Sequence, residues 1–353
     1  MRWLSTLFFV LTLGVMGCET TVDGGSGGSA GDGGSGGDGG TGGSVACEGN
    51  VCPCTEAGIR AAIDAGGEDP YTFNCDGPQT VVVTGSPIEI DNDVILDGQG
   101  NLTLDGSEVQ VVEENSSVFL VPTPVKSELR GIKVINGRDP DGGIVVSPFP
   151  YRDTTLTLLN STVSGNSGNG ISNFLGGMLI LVNSTVSGNS GFGILSSDRL
   201  MLINSTVSGN SSGDGGGIRS FGEATLLNST VSGNSPTGID ARCLPADDCT
   251  LTAANSLVAD DCVGSTSSAG YNIESDGDTC GFDQTGDQAG VSAALLDLQP
   301  LANNGGPTQT HAITTDSAAF NAGTCEVDED QRGVSRPQGP ACDVGAFELE
   351  VGP

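Results

Sequence analysis

The seven-residue string NSTVSGN decides the fold. It begins at Asn160, Asn183, Asn204 and Asn228, and a diverged copy, NSLVADD, begins at Asn255. Successive copies start 23, 21, 24 and 27 residues apart. A repeat of this length indicates a solenoid, in which each repeat forms one coil stacked on its neighbours. The glycine and Ser/Thr content between the copies disfavours the half-helical repeats of a leucine-rich horseshoe, so a parallel β-helix is predicted.

Apolar residues recur at fixed offsets from each asparagine. Two residues before it stands Leu in four copies and Ala in the fifth, and three residues after it stands Val in all five. The leucine column alternates with polar residues, as in a strand with one buried face. The valine column has the opposite parity, so the chain must bend near the asparagine. A Gly-Ile pair also recurs, at residues 170, 193, 217 and 238.

The first asparagine of each copy is predicted to be structural. Asparagine tolerates left-handed backbone conformations, and stacked amides can hydrogen-bond from coil to coil. Asn-Ser-Thr is also the acceptor sequence for N-glycosylation, and it occurs four times. The repeat phase favours the structural interpretation. The predicted repeat ladder is Asn160, Asn183, Asn204, Asn228 and Asn255.

The N-terminus carries the features of an export signal. Arg2 precedes an apolar run, residues 3–15, that is too short to span a bilayer as a helix. The run ends Val-Met-Gly-Cys at Cys18, which resembles a lipobox, where the cysteine is diacylated and becomes the mature N-terminus. Two acyl chains give stable anchoring. We therefore predict a signal peptide over 1–17; ordinary cleavage with an incidental Cys18 is the alternative.

A glycine-rich stretch follows the cysteine. Residues 23–44 are almost wholly Gly, Ser, Asp and Thr, which bury too little surface to offset their ordering entropy. Residues 18–45 are therefore predicted to be a lipidated cysteine followed by a disordered tether. Glu19 stands where an aspartate would signal inner-membrane retention, so we expect a surface-exposed outer-membrane lipoprotein of the cell envelope.

The chain has 11 cysteines, and assigning Cys18 to lipid leaves an even ten for disulfides in an oxidising compartment. A metal site at Cys52-x-Cys54 is disfavoured because no CxxC pair occurs and the only histidine, His311, is distant. The disulfide candidates are an N-terminal group, Cys47, Cys52, Cys54 and Cys75, and three local pairs, Cys243 with Cys249, Cys262 with Cys280, and Cys325 with Cys342.

These features divide the rest of the chain into three predicted regions. Residues 46–79 are predicted to form a Cys-rich N-terminal cap containing a helix over 55–65, with Thr55 as its N-cap. Residues 80–259 are predicted to form the coils, and 260–353 a disulfide-bearing C-terminal cap. The predicted fold is thus all-β, a right-handed parallel β-helix solenoid with a short capping helix.

Formal net charge is −32, from 44 acidic and 12 basic side chains. Nucleic acids and anionic lipid headgroups both require clustered Lys and Arg, so neither is expected as a partner. We expect a monomer, with no metal and no cofactor. Ca²⁺ is left open at Asp328-Glu329-Asp330, although no EF-hand or GGxGxDxUx string is present.

Two stretches resemble known families. CTEAGIRAAIDA (54–65), NCDGPQTVVV (74–83) and DNDVILDGQGNLTLDG (91–106) resemble the start of bacterial pectin-lyase-like β-helix proteins. CVGSTSSAGYNIESDGDTC (262–280), LQPLANNGGPTQTHAITTDSAAFNAG (298–323) and DQRGVSRPQGPACDVGAFE (330–348) closely resemble the choice-of-anchor Q domain. The resemblance implies a surface-associated right-handed β-helix joined to an anchoring signal. It implies no established activity.

A glycoside hydrolase of this fold needs convergent aspartates as general acid and base. The string Asp260-Asp261-Cys262-Val263 resembles part of the polygalacturonase pattern, with Asp240 upstream. However, Thr237 stands where the first aspartate belongs, and no Gly-His-Gly follows. The hydrolase interpretation is therefore disfavoured.

A lyase needs a base, usually beside Ca²⁺ held by acidic residues. Candidate bases lie on successive repeats, but their offsets from the repeat asparagines differ, and His311 lacks a placed partner. No catalytic residue is predicted. The leading hypothesis is a non-catalytic structural or adhesive role towards glycans or surfaces, and the alternative is a polysaccharide lyase or hydrolase. The lyase candidates are Arg199, Arg219 and Arg242 with Asp214, Asp240, Asp247 and Asp248.

Overall fold

The computed structural model describes residues 47–110, 117–138, 142–147, 153–174, 176–242 and 250–352. The predicted signal peptide, Cys18 and the tether lie outside these residues, as do Cys243, Cys249, Asp247 and Asp248. Within the described residues the chain forms two short helices and 28 strands. The predicted all-β class is confirmed.

In chain order, the first elements are β1 (Val51–Pro53), α1 (Glu56–Ala65), β2 (Pro70–Asn74), β3 (Gln79–Gly85), β4 (Ile88–Glu89), β5 (Ile95–Val109), β6 (Phe119–Val121), β7 (Lys126–Ile135), β8 (Ile144–Val146), β9 (Thr154–Leu159), β10 (Thr162–Ser164), β11 (Ile171–Asn173), β12 (Gly177–Val182), β13 (Thr185–Ser187) and β14 (Ile194–Ser196). The rest are β15 (Arg199–Ile203), β16 (Thr206–Ser208), β17 (Ile218–Ser220), β18 (Glu223–Leu227), β19 (Thr230–Ser232), β20 (Ile239–Ala241), β21 (Thr250–Ala254), β22 (Leu257–Val258), β23 (Cys262–Gly264), β24 (Thr266–Gly270), β25 (Ile273–Ser275), β26 (Gln288–Val291), α2 (Ala293–Leu296), β27 (Leu301–Ala302) and β28 (Thr310–His311).

Apart from the separate antiparallel pair β27–β28, the strands form three parallel stacks, because each coil contributes one short strand to each. The first stack contains the leucine-bearing strands and includes β9, β12, β15, β18 and β21. The second contains the Thr-Val-Ser strands and includes β10, β13, β16, β19 and β22. The third contains eight strands in the order β4, β6, β8, β11, β14, β17, β20 and β23, so eight coils are stacked. The predicted parallel β-solenoid is confirmed.

The stack is longer than the predicted coil region 80–259. β1 already pairs in parallel with β2 inside the predicted N-terminal cap. At the other end β26 pairs with β25 beyond residue 259. Divergent coils keep the strand pairing without keeping the repeat sequence, which explains why the sequence repeat marks only the central coils.

The bends that separate the first two stacks use the left-handed backbone region. NSTVSGN places a second left-handed residue, the glycine, after the Thr-Val-Ser strand, so each short strand is held between two sharp bends. The first-asparagine φ angles are 52° at Asn160, 51° at Asn183, 47° at Asn204, 49° at Asn228 and 49° at Asn255. The glycine φ angles are 66° at Gly165, 62° at Gly188, 66° at Gly209 and 71° at Gly233.

The amide ladder expected at the first asparagine is formed by the last asparagine of the motif instead. Nδ2 of each donates to Oδ1 of the next, at 2.8 Å from Asn166 to Asn189, 2.8 Å from Asn189 to Asn210 and 2.9 Å from Asn210 to Asn234. These side chains lie inside the solenoid and are buried. The first asparagines have the left-handed backbone, but among the described residues no hydrogen bond joins their side chains from coil to coil, and Asn204 and Asn255 donate instead to carbonyl oxygens of Glu329 and Asp343. The five positions are Asn160, Asn183, Asn204, Asn228 and Asn255.

The serine that follows the first asparagine forms a second ladder. Its Oγ accepts from the backbone N–H of the serine one coil earlier, at 3.1 Å from Ser161 to Ser184 and 3.2 Å from Ser184 to Ser205. The same bond continues from Ser205 to Ser229 and from Ser229 to Ser256. All five serines are buried, so the ladder satisfies backbone donors that the bends leave unpaired.

The helix at the N-terminus forms as predicted. Thr55 Oγ1 accepts from the backbone N–H of Gly58, and the helix ends at Gly66. Its buried face includes Ile59 and Ile63, which belong to the main apolar core. This core follows the solenoid axis as columns of Leu, Ile and Val.

The C-terminal region does more than close the end of the stack. Residues 297–348, termed the C-terminal segment, run back along the outside of the second stack and contact coils more than 100 residues earlier in sequence. A second apolar cluster joins this segment to the last coils, and it includes Leu257 and Ile273 from the coils and Val344 and Phe347 from the segment.

Candidate functional site

The Asp260-Asp261-Cys262-Val263 string has structural roles. Oδ2 of Asp260 accepts from Asn234, from Nδ2 at 2.9 Å and from the backbone N–H at 2.9 Å, so Asp260 ends the asparagine ladder. Cys262 forms a disulfide with Cys280. Asp240 lies on a different face and belongs to a separate contact network. The structure therefore does not bring Asp240 and Asp260 together as an acid–base pair.

Asp240 lies at the centre of a small charged cluster on the outside of the third stack. It is paired in register with Arg219 across β17 and β20. Arg242 donates to both carboxylate oxygens of Asp240, from Nε at 2.8 Å and from an Nη at 2.6 Å. Nε of Arg219 lies 3.6 Å from Oδ2 of Asp240. One buried carboxylate thus holds two guanidinium groups.

Two aromatic rings flank Arg219. Its guanidinium carbon lies 5.3 Å from the ring centre of Phe192 and 5.1 Å from that of Phe221. Both distances are within the range of a cation–π contact. Gly215 makes room for the Phe192 ring, because a Cβ at residue 215 would lie 2.8 Å from it. Both phenylalanines are half-buried, so the cluster presents ring surface beside charge.

The two arginines keep the carboxylate of Asp240 ionised. Burial alone would raise the pKa of Asp240, but the hydrogen bonds from Arg242 and the positive charge of Arg219 outweigh it, and the pKa lies below its ordinary value. The Asp240 side chain is 2% exposed. Asp240 is therefore ionised, and its carboxylate contacts the two arginines while being almost completely shielded from solvent.

Of the remaining lyase candidates within the described residues, Arg199 lies away from this cluster and Asp214 lies at its edge. Arg199 is exposed on β15 in the first stack, where its register partner is Met178. Asp214 is exposed and close enough to Arg242 to contribute to the raised pKa of that residue, behind the larger effects of Asp240. In the part of the chain that the structure describes, no group of three or more His, Cys, Asp or Glu side chains could hold a metal ion.

His311 belongs to the C-terminal segment and contacts the second stack. Nδ1 lies 2.7 Å from the carbonyl oxygen of Gln299 and Nε2 lies 2.8 Å from Oγ of Ser208. Because a carbonyl can only accept, Nδ1 carries the proton and Nε2 accepts from the serine. Burial lowers the pKa of His311. The imidazole is neutral, and each of its two ring nitrogens has a hydrogen-bond partner.

Asp330, the last residue of the acidic run at 328–330, has a structural position, whereas Asp328 and Glu329 are exposed. Asp330 is buried and forms an ion pair with Arg332 at 2.8 Å, and the Arg332 guanidinium lies 3.7 Å from the ring centre of Phe347. Arg336 pairs with Glu348 at 3.2 Å in the same network. The charged residues of these pairs come from the DQRGVSRP and CDVGAFE strings, and the pairs stabilise the folded C-terminal segment.

The C-terminal segment covers the outward face of the NSTVSGN strands. Gln331 donates from Nε2 to Thr185 Oγ1 at 2.8 Å and accepts at Oε1 from Thr206 at 2.6 Å. Thr230 Oγ1 accepts from the backbone N–H of Ala346 at 3.0 Å. Asn204 and Asn228 are buried in consequence, so a glycan cannot be attached to either in the folded chain.

The structure contains four disulfides within the described residues. Two join the N-terminal group, whose pairing the sequence left open, and two are local pairs near the C-terminus. They are Cys47–Cys52, Cys54–Cys75, Cys262–Cys280 and Cys325–Cys342.

Sequence reasoning missed the aromatic rings and the pairing of Arg219 with Asp240. Their offsets from the repeat asparagines are unequal, because the loops between the second and third stacks differ in length. Their offsets from the Gly-Ile pair are equal, since Arg219 follows Gly217-Ile218 and Asp240 follows Gly238-Ile239. Aligning the repeats on the Gly-Ile pair, instead of on the asparagine, would therefore have predicted that Arg219 and Asp240 are neighbours.

The fold defines a protein of the parallel β-solenoid class. No family model matches the chain. No curated protein matches it. Among solved structures, it is similar to the crystal structure of the pectate lyase Pel9A, with a TM-score of 0.40 and 15% identity over 82% of this chain and 90% of that chain. No helix in the described part of the chain is long and apolar enough to cross a membrane.

Proposed function

We propose that this protein is a lipid-anchored, surface-displayed β-solenoid that binds glycans or other surface ligands without turning them over. The observation that carries the proposal is the cluster at Asp240. The Asp240 carboxylate is 2% exposed and is engaged by two arginines. A site of this kind holds fixed donors and rings at a surface, and its central carboxylate is covered by the arginines instead of being open to a substrate as an acid or base.

The anchoring half of the proposal rests on the N-terminal sequence. A lipobox-like Cys18 followed by a glycine-rich stretch supports an outer-membrane lipoprotein whose solenoid stands away from the membrane on a tether. The sequence of residues 262–348 supports placement with the choice-of-anchor Q group. The net charge of −32 supports a monomer that does not bind nucleic acid. No metal or cofactor is part of the proposal.

Two measurements test it. Purified protein is incubated with a panel of polysaccharides, and new reducing ends and unsaturated products are measured; we expect neither. Reproducible turnover that disappears in Asp240→Ala would overturn the non-catalytic role. Mass spectrometry of the N-terminal peptide is expected to find a diacylated Cys18, and a free thiol there, or release of the protein into the medium, would overturn the anchor.

A further inference from the structure

We propose that the ligand site is the outward face around Arg219 and that its ligand is a neutral glycan. This inference rests on the proposed function and names its site and ligand class. It follows from the N–H groups of Arg219 that have no hydrogen-bond acceptor within the described residues, from the net charge of the cluster and from the order of side chains along the third stack.

Arg219 keeps its hydrogen-bonding capacity. Among the described residues its guanidinium makes no hydrogen bond, and the buried Nε has only the ion-pair contact with Asp240. The group is nevertheless fixed, because Asp240 lies 3.6 Å away and two rings flank it. Its side chain is 23% exposed. A held guanidinium with free N–H groups presents a planar fork that fits two adjacent acceptors, such as neighbouring hydroxyl oxygens of a pyranose.

The remaining groups suit a sugar as well. Arg242 is half-exposed and adds donors, and the exposed Asp214 beside it adds an acceptor. Phe192 and Phe221 provide apolar ring surface for the C–H faces of a sugar. Donors, an acceptor and rings together match a molecule that is amphipathic and carries hydroxyls.

Charge decides between neutral and acidic glycans. The two arginines and the two aspartates of the cluster, Asp214 and Asp240, sum to zero. The surrounding protein carries a net charge of −32, which repels a polyanion. An acidic polysaccharide would have to overcome this field without any local excess of positive charge, whereas a neutral chain would not.

The geometry of the stack suits a linear chain. Leu195, Arg219, Asp240 and Val263 follow one another in register on successive strands. Leu195 is half-buried and Val263 is 37% exposed. Strands are spaced about 4.8 Å apart, which is close to the length of one pyranose unit. A glycan lying along the axis would therefore meet apolar surface on both sides of the charged cluster.

The test uses the full chain in detergent with cellohexaose, xylohexaose and mannohexaose as neutral probes and hexagalacturonate as the acidic probe, by titration calorimetry. We expect saturable binding to at least one neutral probe, unchanged between about 50 and about 500 mM salt because no net charge is matched. Arg219→Ala and Phe221→Ala should weaken it about tenfold or more, a loss on the order of one well-formed polar contact. Arg219→Lys, which keeps the charge but not the fork, should weaken it as well.

Arg199→Ala is the matched control, because Arg199 is exposed on the neighbouring stack; its binding should equal that of the wild type. Circular dichroism melting checks that each variant is folded. Salt-sensitive binding of hexagalacturonate alone would overturn the neutral-glycan inference and leave the proposed binding function standing. Neutral-probe binding that survives Arg219→Ala would overturn the site. Turnover of a neutral probe would overturn the proposed function but not the ligand class, and absence of all binding would overturn both.

Discussion

Asn189 donates from Nδ2 to Oδ1 of Asn210 at 2.8 Å, one coil further along the solenoid. The backbone N–H of Asn189 donates to the same oxygen at 3.1 Å. Asn189 and Asn210 thus each bond to the asparagines one coil before and one coil after, and also to backbone groups. The column continues to Asp260. A chain with only 4% aromatic residues obtains much of its internal order from such ladders.

Replacing Asn210 with Ala should destabilise the protein by about 2–4 kcal/mol, because it leaves buried partners in two coils unpaired. The measurement is urea unfolding followed by circular dichroism. Asn74→Ala is the control, since Asn74 is exposed at the end of β2. Equal midpoints for the two variants would show that the ladder does not stabilise the solenoid.

The left-handed backbone at Asn160 predicts that alanine at this position destabilises the protein more than glycine does. Asn160→Ala should cost about 1–2 kcal/mol, because a Cβ is disfavoured at a φ of 52°. Asn160→Gly should cost less, since glycine adopts this conformation freely. The same unfolding experiment compares the two. If alanine were tolerated better than glycine, the side-chain rather than backbone role of Asn160 would be the important one.

Gln331 is the buried link between the C-terminal segment and the coils. Gln331→Ala removes its bonds to Thr185 and Thr206 and leaves both hydroxyls buried. We expect faster trypsin cleavage after Arg332, because the segment that shields this buried side chain would open more often. Gln338→Ala, at an exposed position of the same segment, should cleave at the wild-type rate. Unchanged cleavage of Gln331→Ala would mean that other contacts hold the segment.

His311 predicts a pH dependence of stability. Burial lowers its pKa in the folded chain, so the unfolded chain binds the proton more tightly. Its contribution is complete above about pH 6.5 and is lost as pH falls through the lower folded pKa. Unfolding free energy measured between about pH 7 and about pH 5 should therefore fall more in the wild type than in His311→Asn.

The comparison with His311→Asn is needed because Asp343 acts in the opposite direction. Burial raises the pKa of Asp343 to about 6, so its contribution is present at low pH and is lost as pH rises through that value. This carboxyl is the same in both proteins and cancels in the difference. Parallel pH profiles would show that His311 does not titrate differently on folding.

The sequence alone determined the coil and its bends. The repeated Leu, Val and Ile columns specify which side of each strand is buried, and the asparagine and glycine of NSTVSGN specify the two left-handed bends. These are local properties, because strand parity and backbone conformation depend on residues within one coil. Helix α1 was predictable for the same reason, since its cap and apolar face lie within a single short stretch, from Thr55 to Ala65.

Only the tertiary structure decided what the repeats contact. Thr185 and Thr206 recur in the sequence as polar outward residues, but whether they face solvent depends on Gln331, which is 125 or more residues away. The contacts of Arg219 with the rings of Phe192 and Phe221 likewise depend on how the stacked coils bring these residues together. Such contacts are made by polar groups across coils, and their energy depends on geometry that no local pattern encodes.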